Sequence, residues 1–85
     1  MTKPSAPARP PTPLGAYIAE KRKAAGLSQL DLAEGVGTSQ GGISNWEKGG
    51  IVPSTQFLAA LARSLPGASV EDMLGLIERT NVVAS

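Results

Sequence analysis

The chain contains no cysteine and no histidine among its 85 residues. Without cysteine there are no disulfides, thiolate metal sites or cysteine nucleophiles. Without histidine, the most frequent general base and the most frequent metal ligand are missing. We therefore expect no enzyme, no catalytic or metal site and no cofactor, although carboxylate chemistry alone is not excluded by composition.

Aromatic residues and long apolar runs are also scarce. Aromatics make up 4% of the chain, so the core must be built mainly from aliphatic side chains. The longest uninterrupted apolar run, Phe57 to Ala62, is far shorter than the ~20 residues of a membrane-spanning helix. No apolar stretch follows Lys3, so the amino end does not read as a secretory signal. The length fits one small domain, which we expect in the cytoplasm.

The excess of charge is small, with a net charge of +1. Lys3 and Arg9 precede residue 14, and from Leu14 onward six basic residues face seven acidic ones. Proteins that bind nucleic acids usually show a basic surface. Any nucleic-acid interface in this chain must therefore depend on where individual charges lie.

The two ends differ in composition from the middle. Residues 1–13 read MTKPSAPARPPTP, a proline-rich stretch with no hydrophobic period, which predicts a disordered tail. A basic arm that contacts phosphates is one interpretation of this tail, and a solvated leader is the preferred one. Residues 80–85 carry no clear signal and are expected to fray, which leaves 14–79 as the folded domain.

Apolar spacing and capping residues predict five short helices and no strand, in a compact all-α bundle. Gly26 is expected to end the first helix, as glycine commonly does. Ser28 with Asp31 forms a start that resembles a capping box. The predicted helix starts lie at Leu14, Ser28, Ser39, Ser54 and Ser69.

The stretch from Ser28 to Lys48 contains two short helices joined by a glycine-containing turn, which is typical of a helix-turn-helix. In the second of these helices Ile43 and Trp46 share one phase, so Trp46 is assigned to the core rather than to a base-stacking surface. The face of this helix opposite Ile43 and Trp46 carries small and neutral polar residues. Glutamine and asparagine can form paired hydrogen bonds with adenine, so this face is suited to a DNA major groove.

The segment LSQLDLAEGVGTSQGGISNWEKG, residues 27–49, resembles the phage-repressor or Cro-type helix-turn-helix family, also called the XRE family. The likeness extends over about residues 14–75. It implies a five-helix domain similar to that of lambda repressor. It also implies a sequence-specific transcriptional regulator, with a repressor preferred, that binds double-stranded DNA as a homodimer and takes no small-molecule substrate.

The resemblance further implies roles for individual residues. Helix 39–48 would read bases, and Gln29 would contact a phosphate and support the first base-reading residue. Arg22 and Glu47 match a structural ion pair between the first and third helices. The implied base contacts are Gln40, Gly41, Ser44 and Asn45, and the implied phosphate contacts are Gln29, Ser39 and Lys48.

Some positions depart from the family pattern. Gly41 and Gly42 fall within the predicted base-reading helix, where each glycine costs ~1 kcal/mol relative to alanine. Together with the mild acidity from Leu14 onward, these glycines leave open a protein–protein interaction module of the same fold, antitoxin-like or partner-binding, with weak or no DNA binding. Candidate dimer contacts are Leu30, Ile77, Val82 and Val83.

Overall fold

The computed structural model describes residues 12–49 and 51–81, with side chains up to Ile77. Most of the predicted tail, and Val82 and Val83, therefore lie outside the described residues. The described ranges contain helices and no strand, which confirms the predicted all-α, five-helix architecture. The helices are α1 (Pro13–Ala24), α2 (Gln29–Val36), α3 (Gln40–Lys48), α4 (Thr55–Ser64) and α5 (Val70–Asn81).

The outermost helices each extend slightly beyond the expected boundaries. Thr12 caps α1, because its Oγ1 accepts the Gly15 N–H at 3.1 Å. Pro13 then occupies the first turn, where its fixed φ suits a helix and its missing N–H is not needed. At the other end α5 continues through Thr80 to Asn81, into the segment expected to fray. Extension of an existing helix adds one hydrogen bond per residue, so it needs no apolar signal.

Local capping chemistry sets most of the other helix starts. At α2 the Asp31 N–H donates to Ser28 Oγ and the Ser28 N–H donates to Asp31 Oδ2, both at 3.0 Å. These two bonds complete the capping box that the sequence predicted. Ser54 occupies the predicted cap position of α4, but its side chain makes no capping bond.

The core takes side chains from all five helices and, among the described residues, contains no buried polar or charged residue. Trp46 is 5% exposed and its ring lies against Phe57, with the two centroids 5.1 Å apart. This confirms its assignment to the core. The largest fully buried side chains are Ile18, Leu32, Ile43, Leu58, Leu61, Leu65 and Met73.

Helix α1 crosses α3 at very short range, and this contact supports α3 from behind. A Cβ added to Gly15 would lie 2.7 Å from the Trp46 carbonyl oxygen and would also clash with that of Glu47. Only glycine permits this approach of the two backbones. At the end of α3, Gly49 adopts a left-handed φ of 89° and lies against Thr12. The start of α1 is thus packed on the end of α3.

None of the described helices has the length and apolarity needed to cross a bilayer.

Candidate nucleic-acid interface

Helix α3 has one buried side and one polar side. Successive residues of an α-helix are rotated by about 100°, so Gln40 and Ser44 align one turn apart, as do Gly41 and Asn45. Ile43, which is 0% exposed, and Trp46 occupy the opposite side. The packed side therefore fixes which way the polar side faces.

The structure places the four predicted base-reading residues on one surface. Gln40, Gly41 and Asn45 are exposed, and Ser44 is half-buried between them. Gln40 and Asn45 each end in an amide that can both donate and accept hydrogen bonds. This surface can therefore form paired hydrogen bonds with a flat polar partner.

The two ends of α3 carry two of the three groups predicted to contact phosphates. Ser39 Oγ accepts the Gly42 N–H at 3.1 Å, which leaves the hydroxyl proton to donate outward. Lys48 is exposed in the last turn, and within residues 12–49 and 51–77 no carboxylate lies at ion-pair distance from its ammonium group. Both side chains are thus positioned to bind anionic oxygens.

The two glycines of α3 occupy its first turn rather than its middle. A Cβ on Gly42 would lie 2.6 Å from Thr38 Oγ1, whereas a Cβ on Gly41 would meet only Ser39 Oγ at 3.8 Å. A side chain at position 42 would therefore require the Thr38 hydroxyl to move. Gly41 leaves open space at the centre of the exposed polar surface.

Arg22 and Glu47 form the ion pair that the family resemblance implies. Arg22 Nε donates to Glu47 Oε2 at 2.6 Å and Nη2 donates to Oε1 at 3.1 Å. Arg22 Nη1 also donates to the Leu27 carbonyl at 2.9 Å. The two charged side chains are 11% and 10% exposed. The hydrogen bond to Glu47 raises the pKa of Arg22, and partial desolvation opposes that rise.

Gln29 connects this ion pair to the exposed surface. Its Nε2 donates to Glu47 Oε1 at 3.0 Å, and its Oε1 accepts from Gln40 Nε2 at 3.5 Å. The family resemblance implied that Gln29 supports the first base-reading residue, but the bond from Gln29 to Glu47 was not predicted. No local signal reveals a bond across eighteen positions, because it depends on how α2 crosses α3.

The described residues contain no group of three acidic side chains placed to hold a metal ion.

Comparison with known proteins supports a regulatory role for this architecture. A family model described as Helix-turn-helix (HTH_3) matches residues 18–72. A search of curated protein sequences gives no match.

Solved structures provide two similar proteins. The P22 c2 repressor, in complex with synthetic operator 9T in the presence of Tl+, is 32% identical, with coverage of 71% of this chain and 89% of that chain and a TM-score of 0.67. The clp gene regulator ClgR from Corynebacterium glutamicum is 36% identical over 74% of this chain and 80% of that chain, with a TM-score of 0.63. A second ClgR structure is 33% identical over 84% of this chain and 76% of that chain, with a TM-score of 0.66.

Proposed function

Because this chain belongs to the XRE-type helix-turn-helix family HTH_3, we propose that it is a sequence-specific transcriptional regulator that reads the major groove of double-stranded DNA with α3. The observation that carries the proposal is the orientation of α3. Its apolar side is clamped by the core, while its outward side presents amides and hydroxyls. A helix of this kind fits a major groove about 12 Å wide.

Base reading is assigned to the centre of this surface. Gln40 and Asn45 can each accept a hydrogen bond from the adenine amino group and donate one to N7. Ser44 can donate to or accept from a base edge, and Gly41 allows the helix backbone to approach closely. Adenine-containing base pairs should therefore dominate the half-site.

Phosphate contacts are assigned to the periphery, where they fix position rather than sequence. Ser39 and Lys48 would hold the two ends of α3, and Gln29 would use its second amide hydrogen at the start of α2. With a single lysine in this set, the electrostatic share of the affinity should be small for a DNA-binding protein.

A repressor's role and a dimeric assembly are also proposed for this chain. The P22 c2 repressor was crystallised with an operator, and we assign a repressor's role to this chain as well, acting in the cytoplasm as a homodimer on a palindromic site. Leu30 is 52% exposed and remains a candidate dimer contact, whereas Ile77 packs partly against the core.

One observation favours a second function, that of a protein-interaction module. Four large apolar side chains are between 44% and 54% exposed, and the chain from Leu14 onward has one more acidic than basic residue. Exposed apolar side chains and an acidic balance of charge suit a protein partner better than a phosphate backbone. The exposed side chains are Leu30, Ile51, Val52 and Leu74.

Selection of bound duplexes from a random pool tests the primary function. We expect a palindromic consensus rich in A·T pairs at the positions read by α3. A protein that neutralises several phosphates loses affinity steeply with salt, so binding is measured first at ~50 mM salt. If no duplex is retained there, DNA reading is wrong and the interaction module is favoured.

Single substitutions in the protein, measured on the selected duplex, then distinguish base contacts from phosphate contacts. Gln40→Ala and Asn45→Ala should each relax preference at one base pair, at ~1–3 kcal/mol per lost contact. Lys48→Ala should weaken binding to every duplex alike and reduce the salt slope by about 1. Lys23→Ala removes the same charge from the exposed end of α1 and serves as the matched control. Equal losses on all duplexes for Asn45→Ala would refute its base-reading role.

A further inference from the structure

We propose that Glu47 is a positioning residue for base specificity, because it fixes the orientation of the Gln40 amide through Gln29. This inference rests on the proposed function, since it concerns how α3 distinguishes bases. It assigns to the ion pair a role beyond joining α1 to α3.

Glu47 sets the orientation of the Gln29 side-chain amide. Glu47 is held by two contacts from Arg22 and is 10% exposed, so its carboxylate has little freedom to move. An ionised carboxylate can only accept hydrogen bonds. The side-chain group of Gln29 that faces it at 3.0 Å must therefore be the amide nitrogen. The Gln29 carbonyl oxygen is consequently turned away from Glu47.

The Gln29 amide in turn sets the orientation of the Gln40 amide. The Gln29 carbonyl oxygen can only accept, and the Gln40 amide nitrogen lies 3.5 Å from it. The reverse orientation of the Gln40 amide would place two oxygens against each other. Gln40 is thus left with one carbonyl oxygen and one N–H for a partner.

The orientation of the Gln40 amide determines which base it matches. Adenine offers one acceptor and one donor in the major groove, whereas guanine offers two acceptors, N7 and O6. A Gln40 amide that has committed one N–H to Gln29 matches adenine and lacks the second donor that guanine requires. A Gln40 amide released from Gln29 has both N–H groups available. The network therefore favours adenine over guanine at the position read by Gln40.

The test measures the ratio of affinities for adenine and guanine at the operator position whose preference is lost in Gln40→Ala. For the unaltered protein we expect a ratio of roughly 5- to 150-fold, the range for a good paired contact. In Glu47→Gln the new side chain can donate to Gln29 as well as accept from it, so the ratio should fall towards one. Preferences at the other positions should stay unchanged.

Two further variants protect the test against loss of folding. Glu47→Asp keeps the charge opposite Arg22 but withdraws the carboxylate by one methylene, so it should also lower the ratio. Gln29→Met keeps the ion pair and removes the link, and adding Glu47→Gln to it should cause no further change in the ratio. Tyr17→Phe is the matched control, because it removes hydrogen bonds to Ser69 and Asp72 between α1 and α5 and leaves the network intact.

Side-chain amide exchange, followed by nuclear magnetic resonance in the protein without DNA, separates the possible failures. One Gln29 amide hydrogen should exchange slowly in the unaltered protein and in Tyr17→Phe, and rapidly in Glu47→Gln. Fast exchange in the unaltered protein overturns the inference. The inference is also overturned if Glu47→Gln, Glu47→Asp and Gln29→Met all retain the adenine-to-guanine ratio, or if they lose affinity equally for every duplex. Either result leaves the proposed function in place. Failure to select any duplex overturns the proposed function, and the inference falls with it.

Discussion

At the first turn of α2, Asp31 joins backbone capping to electrostatics. Its carboxylate accepts the Ser28 backbone N–H, and this bond, with a second contribution from the Ser28 hydroxyl, lowers the pKa of Asp31 below its ordinary value of 3.8. A negative charge at this end of a helix is also favoured by the helix dipole. One residue thus couples the start of α2 to pH.

We expect Asp31→Asn to reduce the pH dependence of stability. Because the folded pKa is lowered, the charged carboxylate contributes its full stabilisation above about pH 4 and loses it as the pH falls through the folded pKa. The unaltered protein should melt at a higher temperature than Asp31→Asn at pH 7. Thermal unfolding followed by circular dichroism at several pH values measures this gap, which should shrink below about pH 4. A gap that stays constant down to pH 2 would contradict the assignment.

Residue-scale features were predictable from the sequence to the extent that they are local. The Ser28–Asp31 box spans three positions, and its residue types alone predicted it. The ion pair between Arg22 and Glu47 spans 25 positions and came only from the family resemblance. The bond between Gln29 and Glu47 was not predicted, because its partners meet only after the helices have packed.

At the scale of helices, the crossing of α1 and α3 depends on the absence of one side chain. We expect Gly15→Ala to destabilise the fold by about 1–3 kcal/mol, the usual cost of overpacking. The added Cβ would meet backbone carbonyl oxygens of Trp46 and Glu47, which cannot rotate away as a side chain can. Urea denaturation of both proteins measures the change in the free energy of unfolding.

Gly75→Ala is the matched control for this crossing. Gly75 lies inside α5, and a Cβ there would meet nothing within 4 Å. The same substitution should therefore stabilise the protein, by up to about 1 kcal/mol, through helix propensity alone. If both variants shift stability in the same direction, close backbone contact is not the reason for glycine at position 15.

Helix positions were predicted more accurately than their boundaries. Capping residues gave the starts of α2, α3 and α5, whereas α1 and α5 extend beyond the predicted domain limits at Pro13 and Asn81. Patterning also placed Gly41 and Gly42 inside α3, at a cost of ~1 kcal/mol each. Their place in its first turn reduces that cost, since the full penalty applies to helix interiors.

At the scale of the whole molecule, stability depends on one small aliphatic core. Domains of fewer than about 70–80 residues rarely gain more than about 3–5 kcal/mol from a single core. Leu61 is 0% exposed and belongs to this core. The free energy of unfolding is therefore comparable to the contribution of a single buried leucine.

We expect Leu61→Ala to cost about 2–5 kcal/mol and to leave much of the population unfolded at 37 °C. Truncation of this buried side chain leaves a cavity in the core, and the cavity accounts for the loss of stability. Leu30→Ala makes the same chemical change at a side chain that is 52% exposed, and its effect should stay within about 0.5 kcal/mol. Equilibrium unfolding in urea compares the two variants, and similar midpoints would contradict the contribution assigned to Leu61.

The contact between Thr12 and Gly49 has a practical consequence for fusion proteins. Because Thr12 lies against Gly49, the residue that ends α3, any purification tag or fluorescent protein fused directly before Thr12 would join the domain at the end of α3. If α3 reads DNA as we propose, such a cargo would compete for space with the duplex. A cysteine introduced nearby, in a chain that has no other, would instead offer a unique attachment point for a dye that reports on occupancy.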